Sequence, residues 1–347
     1  MSRQLEQFQQ HVQGPLPGRN GVAASRVWLP EGPWHYVGEF LLERFPHLDE
    51  AQMRRRLHAG DIVTAQGQAV HYYTPYRAQQ WLWYYRVVEN EVPIPFELSI
   101  LYVDDYLIAV DKPHFLPSIP SGPYLEHTAV ARVRKHFNNY AITPLHRLDR
   151  ETAGVMLFCV QPRYRGVYQE LFQSQAIQKE YEAVAPVPEK QIFPLHIQRR
   201  ITERPGQFLM QCTEGIPNSD TYIELVTHWQ VSKQGAHAMQ QQLGYYRLHP
   251  VTGRKHQLRV HMQSIGAPII NDEWYGGLNE ESLRTAGSSK SAQGADEVEA
   301  AQQQDVFAAP LQLLARSISF IDPVTRAYRE FRSKRALKWG PKQLQQG

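Results

Sequence analysis

The N-terminal part of the chain contains two segments in which apolar residues recur at helical spacing. In residues 37–45 an apolar side chain returns every three or four positions, which predicts a helix with one buried face. A second helix is predicted over residues 49–58, and Gly60 follows it where a left-handed cap can end a helix. Residues 62–63 then predict a strand, so this part of the chain is a small unit of helices and strands.

Beyond position 93, short β-type runs alternate with helical runs. Runs rich in β-branched and aromatic residues predict strands at residues 99–103, 107–110, 155–160, 180–184, 221–226, 245–248 and 317–321. Helical periodicity predicts helices around residues 127–136, 164–175 and 254–265. Because strands and helices alternate irregularly, the pattern favours an α+β domain, with a mixed, largely antiparallel sheet flanked by helices, over a doubly wound parallel sheet.

Changes in composition divide the chain into segments. Residues 1–24 are rich in Gln, Gly and Pro without a sustained period, and we predict a tail that drapes on the surface. Residues 25–92 form the small α/β module, residues 93–335 the main domain and residues 336–347 a C-terminal tail. Within the main domain, residues 278–305 contain no aromatic residue, so we predict a flexible insertion with no catalytic role.

The composition is that of a globular protein. Hydrophobic residues make up 42% and charged residues 20% of the 347 residues, and no stretch approaches the roughly 20 apolar residues of a membrane span. The polar N-terminus lacks the apolar segment of a secretory signal. Cys159 and Cys212 are too few for a disulfide framework. We therefore expect a cytoplasmic protein with no membrane partner, and a monomer is the default state.

The formal net charge of +3 is too small to indicate a nucleic-acid partner by itself. The basic residues are nevertheless clustered along the chain. The clusters are Arg54 to Arg56; Arg132, Arg134 and Lys135; Arg147 and Arg150; Arg199 and Arg200; and Arg254, Lys255 and Arg259. Such clusters neutralise phosphates in some proteins and form solvated faces in others, and the composition leaves both readings open.

The segment HRLDRETAG at residues 146–154 leads directly into an apolar strand. It places Asp149 between Arg147 and Arg150, on a loop held against that strand. Nearby positive charge favours the carboxylate form of an aspartate, and a carboxylate can act as a nucleophile. Taken alone, an aspartate between two arginines is more often a member of a surface ion pair.

Other segments contain further candidate residues. These segments are QKEYEA at 178–183, LHPVTGRKHQLRVH at 248–261, GAPIIND at 266–272, LLA at 313–315 and DPVT at 322–325. By themselves, Tyr181 could be a core strand residue and Arg259 a phosphate contact or a surface ion-pair member. His256 and His261 are five positions apart on a predicted helix, so they fall on different faces and a shared metal ion is not expected.

In order and spacing, these segments resemble the motifs of the RluA-type pseudouridine synthases, from about residue 93 to residue 331. The resemblance implies the catalytic fold of that family, with Asp149 as the catalytic carboxylate. It also implies that Tyr181 stacks on the target uracil and that Arg259 pairs with Asp149. One departure is Leu314, which stands where a histidine is common. The module at residues 25–92 loosely resembles the small RNA-binding module that often precedes this domain.

The resemblance also implies a reaction and a set of RNA contacts. A uridine in structured RNA would lose its N-glycosidic bond, and the uracil would turn and rejoin the sugar through carbon. This chemistry needs no cofactor, nucleotide or metal, and the partner would be rRNA or tRNA. Arg147 would fill the gap left by the flipped nucleotide. The other residues predicted to contact the RNA are His146, Arg150, Arg254, His256 and Gln257.

Two alternative functions are weighed against this one. The first is a non-catalytic RNA-binding protein of the same fold, which would be favoured if Asp149 or Arg259 were replaced. The second is a hydrolase that uses His146 and Asp149 with Ser118 or Ser121. The chain lacks the Gly-x-Ser-x-Gly segment that would place such a serine on a nucleophile elbow.

Overall fold

The computed structural model describes residues 14–88, 90–204, 206–232, 240–276 and 307–340, and of residues 231, 232, 240 and 241 it describes the backbone alone. The predicted insertion at 278–305 therefore lies outside the described residues. The chain forms two compact units. The first consists of residues 1–93, 119–143 and 160–162, and the second of residues 94–118, 144–159 and 163–347.

The first unit is built from three strands and three helices within the described residues. The elements are β1 (Ser25–Leu29), α1 (Val37–Arg44), α2 (Glu50–His58), β2 (Ile62–Thr64), β3 (Gln80–Tyr84) and α3 (Ala129–Phe137). The strands form an antiparallel sheet in the order β1-β3-β2. Side chains from α1, α2 and all three strands share one apolar core, which includes Leu29, Leu41, Met53 and Leu82. Strands β1 and β3 are additions to the sequence prediction.

Helices α1 and α2 begin with side-chain caps that the sequence encodes. The carboxylate of Glu39 accepts hydrogen bonds from the backbone N–H groups of His35 and Tyr36, at 2.8 and 3.1 Å. At the start of α2, Asp49 accepts a hydrogen bond from the backbone N–H of Gln52 at 2.6 Å. Each cap satisfies backbone donors that a helix leaves unpaired.

The basic triplet on α2 does not act as one surface. Arg56 points into the fold, where its guanidinium donates to the backbone carbonyl of Tyr85. Arg54 forms an ion pair with Glu50 at 2.7 Å, and Arg55 is exposed. The three arginines therefore have different surroundings: Arg56 is partly buried and donates to a backbone carbonyl, whereas Arg55 is exposed.

The second unit contains the large sheet. The short strand β6 (Thr143–Pro144) precedes β7 (Ala153–Cys159). The other elements are β4 (Ser99–Val103), β5 (Leu107–Lys112), α4 (Arg165–Gln173), β8 (Gln178–Pro186), β9 (Leu195–Glu203), β10 (Met210–Thr213), β11 (Ser219–Ser232), β12 (Gln240–Pro250), α5 (Gln257–Ser264), β13 (Leu313–Ile321) and β14 (Tyr328–Arg332). The strand order is β10-β9-β11-β12-β8-β13-β7-β5-β4, and β14 pairs with β13. Along this path β13 and β7 are parallel and the other neighbours antiparallel. The predicted α+β fold with a mixed, largely antiparallel sheet is confirmed.

Three details of the second unit differ from the sequence prediction. Helix α5 begins at Gln257 and not at residue 254. His256 adopts a left-handed conformation with φ 55°, so it cannot be part of a right-handed helix. Strands β9, β10 and β14 are additions to the prediction. In the predicted C-terminal tail, Leu337 is buried and packs in the core beside Leu314, so the ordered chain extends past residue 335.

Gly154 lies where β7 pairs with the parallel strand β13. It pairs with Ala315 and has φ 118°, and a Cβ atom added to it would lie 2.2 Å from the carbonyl oxygen of Ala315. A glycine is required here for two reasons, since L side chains avoid this φ and the parallel strand leaves no room. The close approach fixes the start of β7 and therefore the loop that precedes it.

We predict that Gly154→Ala destabilises the protein by about 2–3 kcal/mol, because either the strand pair or the backbone conformation must give way. Chemical denaturation of the full chain measures this change. Gly166→Ala is the matched control, since nothing lies within 4 Å of a Cβ added there and the residue is in α4. It should change the free energy of unfolding by less than about 1 kcal/mol; equal losses in the two variants would contradict the prediction.

Candidate active site

Two buried side chains, Ser118 and Lys112, hold the backbone of the loop that carries Asp149. The Ser118 hydroxyl donates to the carbonyl of Leu148 at 2.6 Å and accepts from its backbone N–H at 2.9 Å. The Lys112 ammonium donates to the carbonyls of Pro113, Leu116 and Arg150, at 3.1, 2.7 and 3.3 Å. Burial lowers the pKa of Lys112 to about 7, although the negative charges of Glu151 and Asp149 oppose this shift.

These contacts bear on the hydrolase alternative. Both the donor and an acceptor position of the Ser118 hydroxyl are taken by the backbone of Leu148. A serine nucleophile needs a base within hydrogen-bond reach, but the imidazole Nε2 of His146 accepts instead from the backbone N–H of Leu157, at 3.1 Å. Ser118 and His146 therefore have structural roles in this loop.

Asp149 lies between a guanidinium and an imidazole. Its Oδ2 is 3.4 Å from Nη1 of Arg259, and its Oδ1 is 3.9 Å from Nε2 of His256. The side chain of Asp149 remains 21% exposed, whereas that of Arg259 is 2% exposed. The carboxylate is therefore open to a ligand on one side and compensated by a buried positive charge on the other.

Arg259 is itself held by a second carboxylate. Its Nε and Nη2 donate to the two oxygens of Asp272 at 2.8 and 2.7 Å, and the side chain of Asp272 is fully buried. Nη1 is left to face Asp149 and Glu151, the latter at 3.7 Å. Burial alone would lower the pKa of Arg259, but the hydrogen bonds and charge of Asp272, with smaller contributions from Asp149 and Glu151, raise it above its usual value.

Tyr181 and Asp149 line the same cavity, which has a volume of about 430 Å³. Tyr181 lies on β8, where it is paired with Leu248 on one side and Ala315 on the other. Burial raises the pKa of Tyr181, and the charge of Asp149 adds to the shift. The phenol therefore stays protonated near neutral pH, and it can donate a proton or a hydrogen bond.

Basic side chains also line this cavity. They are Arg147, Lys179, Arg254 and Lys255, together with Arg259. Arg147 is exposed, and within the described part of the chain its side chain forms no ion pair or hydrogen bond. Lys179 donates to the carbonyl of Thr252 at 3.0 Å, and burial lowers the pKa of its ammonium to about 8.

Three of the predicted RNA-contacting residues are held by contacts within the protein, although two of them, His146 and Gln257, also line the cavity. His146 is stacked on Phe172 with ring centroids 4.9 Å apart, and burial lowers the pKa of His146 to about 3, so it is neutral. Gln257 accepts from the Thr252 hydroxyl and the Arg254 N–H, and its amide donates to the Asp220 carbonyl and the Thr221 hydroxyl. Arg150 does not line the cavity; its Nε lies 3.0 Å from Glu151.

The structure adds residues to which the sequence analysis gave no role. Asp272 supports Arg259, Glu151 lies beside it, and Tyr275 hydrogen-bonds to His256 at 2.7 Å. The sequence clue to Asp272 was its place at the end of the segment GAPIIND. In the structure its carboxylate accepts hydrogen bonds from the backbone N–H groups of Trp274 and Tyr275, in a tight turn. Leu314, the departure from the family motif, is fully buried; its neighbour Leu313 lines the cavity.

The described ranges contain no group of three or more His, Cys, Asp or Glu side chains that could hold a metal ion. His261 contacts the hydroxyls of Ser219 and Thr221, at 2.8 and 3.0 Å. None of the helices in these parts of the chain is long and apolar enough to cross a membrane.

We predict that Asp272→Asn destabilises the protein by about 3–5 kcal/mol, because it removes one partner of a buried ion pair and leaves the Arg259 charge without its main compensation. Equilibrium unfolding measures the loss. The control is Glu224→Gln, which removes a half-exposed carboxylate 3.5 Å from Arg247 and should cost less than about 1 kcal/mol. The prediction fails if the two variants are equally stable.

The segments that form this site match the sequences of a known protein family. Residues 106–264, which include Asp149, Tyr181 and Arg259, match the model of the family described as RNA pseudouridylate synthase. An uncharacterized RNA pseudouridine synthase of Synechocystis sp. is 28% identical over 245 residues, which cover 69% of this chain and 78% of that protein.

Two further relatives have more specific names. The dual-specificity RNA pseudouridine synthase RluA of Vibrio vulnificus is 34% identical over 182 residues, 51% of this chain and 68% of its own length. The tRNA pseudouridine synthase C of Haemophilus ducreyi is 32% identical over 190 residues, 53% of this chain and 76% of its own. A solved human protein, RNA pseudouridylate synthase domain containing 1, covers 72% of this chain at 19% identity with a TM-score of 0.49, which adds nothing to the assignment. On the sequence matches, this chain belongs to the RluA-type RNA pseudouridine synthases, which makes it an isomerase.

Proposed function

We propose that this protein converts specific uridines of structured rRNA or tRNA to pseudouridine, with Asp149 as the catalytic carboxylate. The observation that carries the proposal is the position of Asp149. It is a partly exposed carboxylate in a cavity lined by Tyr181 and by five basic residues, and it faces a buried arginine. A cavity of about 430 Å³ has the size of a small-ligand site, which suits one flipped nucleotide.

The reaction moves one bond and conserves the atoms of the uridine. The bond from N1 of uracil to the sugar breaks, the bond from C5 to the same sugar carbon forms, C5 loses its proton and N1 gains one. Asp149 either attacks the sugar carbon or assists formation of a glycal intermediate. Because the rearrangement is redox-neutral and internal to the nucleotide, it calls for no cofactor.

Tyr181 and Arg259 support this chemistry in different ways. The Tyr181 ring offers a stacking face to a uracil that has lost its neighbours in the RNA, and its phenol, kept protonated by burial, can take part in proton transfer. Arg259 holds the charge of Asp149 from the buried side. Since the guanidinium is already anchored on Asp272, it needs no rearrangement when the RNA arrives.

The basic residues of the cavity supply the RNA contacts in this proposal. Arg147, Lys179, Arg254 and Lys255 can neutralise phosphates around the flipped nucleotide. Arg147 is exposed two positions before Asp149, and we assign it to the space that the flipped nucleotide leaves in the RNA. Extrusion costs a few kcal/mol and is easiest in loops, so the target is a uridine in a loop or a distorted helix. We place the enzyme in the cytoplasm, acting as a monomer.

We predict that Asp149→Ala and Asp149→Asn lose at least about a thousandfold in kcat, because they remove the group that acts on the reacting atoms. The readout is release of tritium from RNA labelled at C5 of uridine, since that hydrogen leaves when pseudouridine forms. Glu224→Gln, the surface variant used above, should keep wild-type activity.

Pseudouridine mapping of rRNA and tRNA identifies the target. RNA from wild-type cells, a deletion strain and an Asp149→Ala strain would be labelled chemically and reverse-transcribed. One or a few sites should lose modification in both mutant strains. If no site changes, the protein is a non-catalytic RNA-binding member of the fold and the proposal is wrong.

A pH dependence follows from Lys179. Burial lowers the pKa of Lys179 to about 8, so its side chain is charged at pH 7. The positive charge is lost by deprotonation as the pH rises through 8. We expect the Kd for target RNA to rise roughly fivefold between pH 7 and pH 9, as one phosphate contact worth about 1 kcal/mol disappears. Fluorescence anisotropy on the Asp149→Ala background measures binding without turnover. In Lys179→Arg the rise should vanish, because arginine stays charged; an equal rise there would refute the assignment.

A further inference from the structure

A chain of hydrogen-bonding groups runs from the backbone to Oδ1 of Asp149. The backbone N–H of Met210 donates to the hydroxyl of Tyr275 at 2.8 Å. That hydroxyl lies 2.7 Å from Nδ1 of His256, and Nε2 of the same ring lies 3.9 Å from Asp149. Nothing in the proposed reaction uses this chain, although it ends at the catalytic carboxylate.

The direction of the chain follows from its first member. A backbone N–H can only donate, so the oxygen of Tyr275 is the acceptor in that contact. The one proton of the phenol is then available for Nδ1 of His256, which accepts it. A neutral imidazole whose Nδ1 is an acceptor carries its hydrogen on Nε2. With the phenol proton given to Nδ1, His256 is the tautomer with hydrogen on Nε2, and this N–H faces Asp149.

The surroundings of His256 keep it neutral. Burial has the largest effect and lowers the pKa of His256; Arg259 and Lys255 also lower it, while Asp149 and Glu151 raise it. A protonated ring would also turn Nδ1 into a donor, so the buried phenol proton of Tyr275 would lose this acceptor.

The same ring is packed between aromatic side chains. The ring centroids of Phe208 and Trp274 both lie 5.3 Å from that of His256. The backbone of His256 has φ 55°, a conformation that non-glycine residues rarely adopt. The surrounding structure thus holds the ring in one orientation, at the residue just before α5.

We propose that His256 is a positioning residue that donates Nε2–H to Oδ1 of Asp149 when RNA fills the cavity, in the tautomer set by Tyr275. The inference rests on the proposed function, in which Asp149 is the catalytic group. At 3.9 Å the contact is longer than a hydrogen bond, and such contacts often shorten when substrate binds. Oδ2 faces Arg259 and Oδ1 then faces His256, so the carboxylate cannot rotate.

A neutral N–H donor is better suited to orienting the Asp149 carboxylate than a second cation. A cation on each oxygen would stabilise the resting carboxylate strongly and lower its reactivity toward the sugar. A neutral N–H orients the carboxylate with a weaker electrostatic effect. Asp272 couples the two donors, because it binds the guanidinium of Arg259 and also accepts the backbone N–H of Tyr275 at 3.0 Å.

The tautomer can be tested without any RNA. In the full-length protein with ¹⁵N-labelled histidine, the signals of His256 are assigned by their loss in His256→Gln. We expect hydrogen on Nε2 and none on Nδ1 at pH 7 to pH 8. In Tyr275→Phe, where Nδ1 loses its donor, the second tautomer should appear. A hydrogen on Nδ1 of the wild-type ring at pH 7, alone or together with one on Nε2, overturns the inference.

Kinetics on target RNA then separate positioning from packing. His256→Gln keeps an N–H donor at the end of the side chain, whereas His256→Leu fills the space without one. We expect kcat to fall about a hundredfold in His256→Leu but less than about tenfold in His256→Gln, with KM changed less than threefold in both. Equal losses in the two variants would show that His256 acts only by packing.

Failure of this inference can be told from failure of the proposed function. If the wild-type protein releases no tritium from any RNA, or if Asp149→Ala keeps its activity, the proposed function is wrong while the tautomer measurement still stands. If the wild type is active and depends on Asp149, but His256→Leu retains kcat within twofold, the proposed function stands and the role of His256 is wrong.

Discussion

The buried ion pair between Arg259 and Asp272 is the interaction on which the site depends. A guanidinium that is 2% exposed must be compensated, and Asp272 does so with two hydrogen bonds of 2.7 and 2.8 Å. This pairing leaves Nη1 directed at Asp149. Asp149, the proposed catalytic carboxylate, therefore lies against a positive charge whose position is set by a different carboxylate.

The loop that bears Asp149 is held by equally specific contacts. The Ser118 hydroxyl hydrogen-bonds to both the carbonyl and the N–H of Leu148. The Lys112 ammonium donates to three backbone carbonyls, including that of Arg150. At the end of the loop, Gly154 lets β7 approach the parallel strand β13. A functional group on a loop can be placed as accurately as one on a strand when the loop's backbone groups are bound in this way.

Burial decides which side chains of the site carry charge. It lowers the pKa of His146 to about 3 and that of His261 to about 4, and it also lowers the pKa of His256. These histidines are therefore neutral and act through hydrogen bonds and packing. The positive charge of the cavity comes from arginine and lysine, which suits recognition of phosphates in a site whose imidazole rings stay uncharged.

Much of the site and fold could be predicted from the sequence because the information was local. The strand at residues 99–103 was predicted within its observed bounds, and the motif segments containing Asp149, Tyr181 and Arg259 meet in one cavity. Strands β9 and β10 were not predicted, because β9 consists mostly of polar, exposed residues and β10 is only four residues long.

What the sequence by itself determined was the family, the α+β class and the residues that can supply chemistry, since these depend on residue identity and spacing. Only the tertiary structure decided what each polar side chain does. It turned Arg56 into the fold, satisfied every hydrogen-bonding group of the Gln257 amide within the protein, and made Asp272 and Tyr275 part of the site. The reason is physical: the role of a polar group depends on which partners and how little water surround it, and those are set by residues distant in the chain.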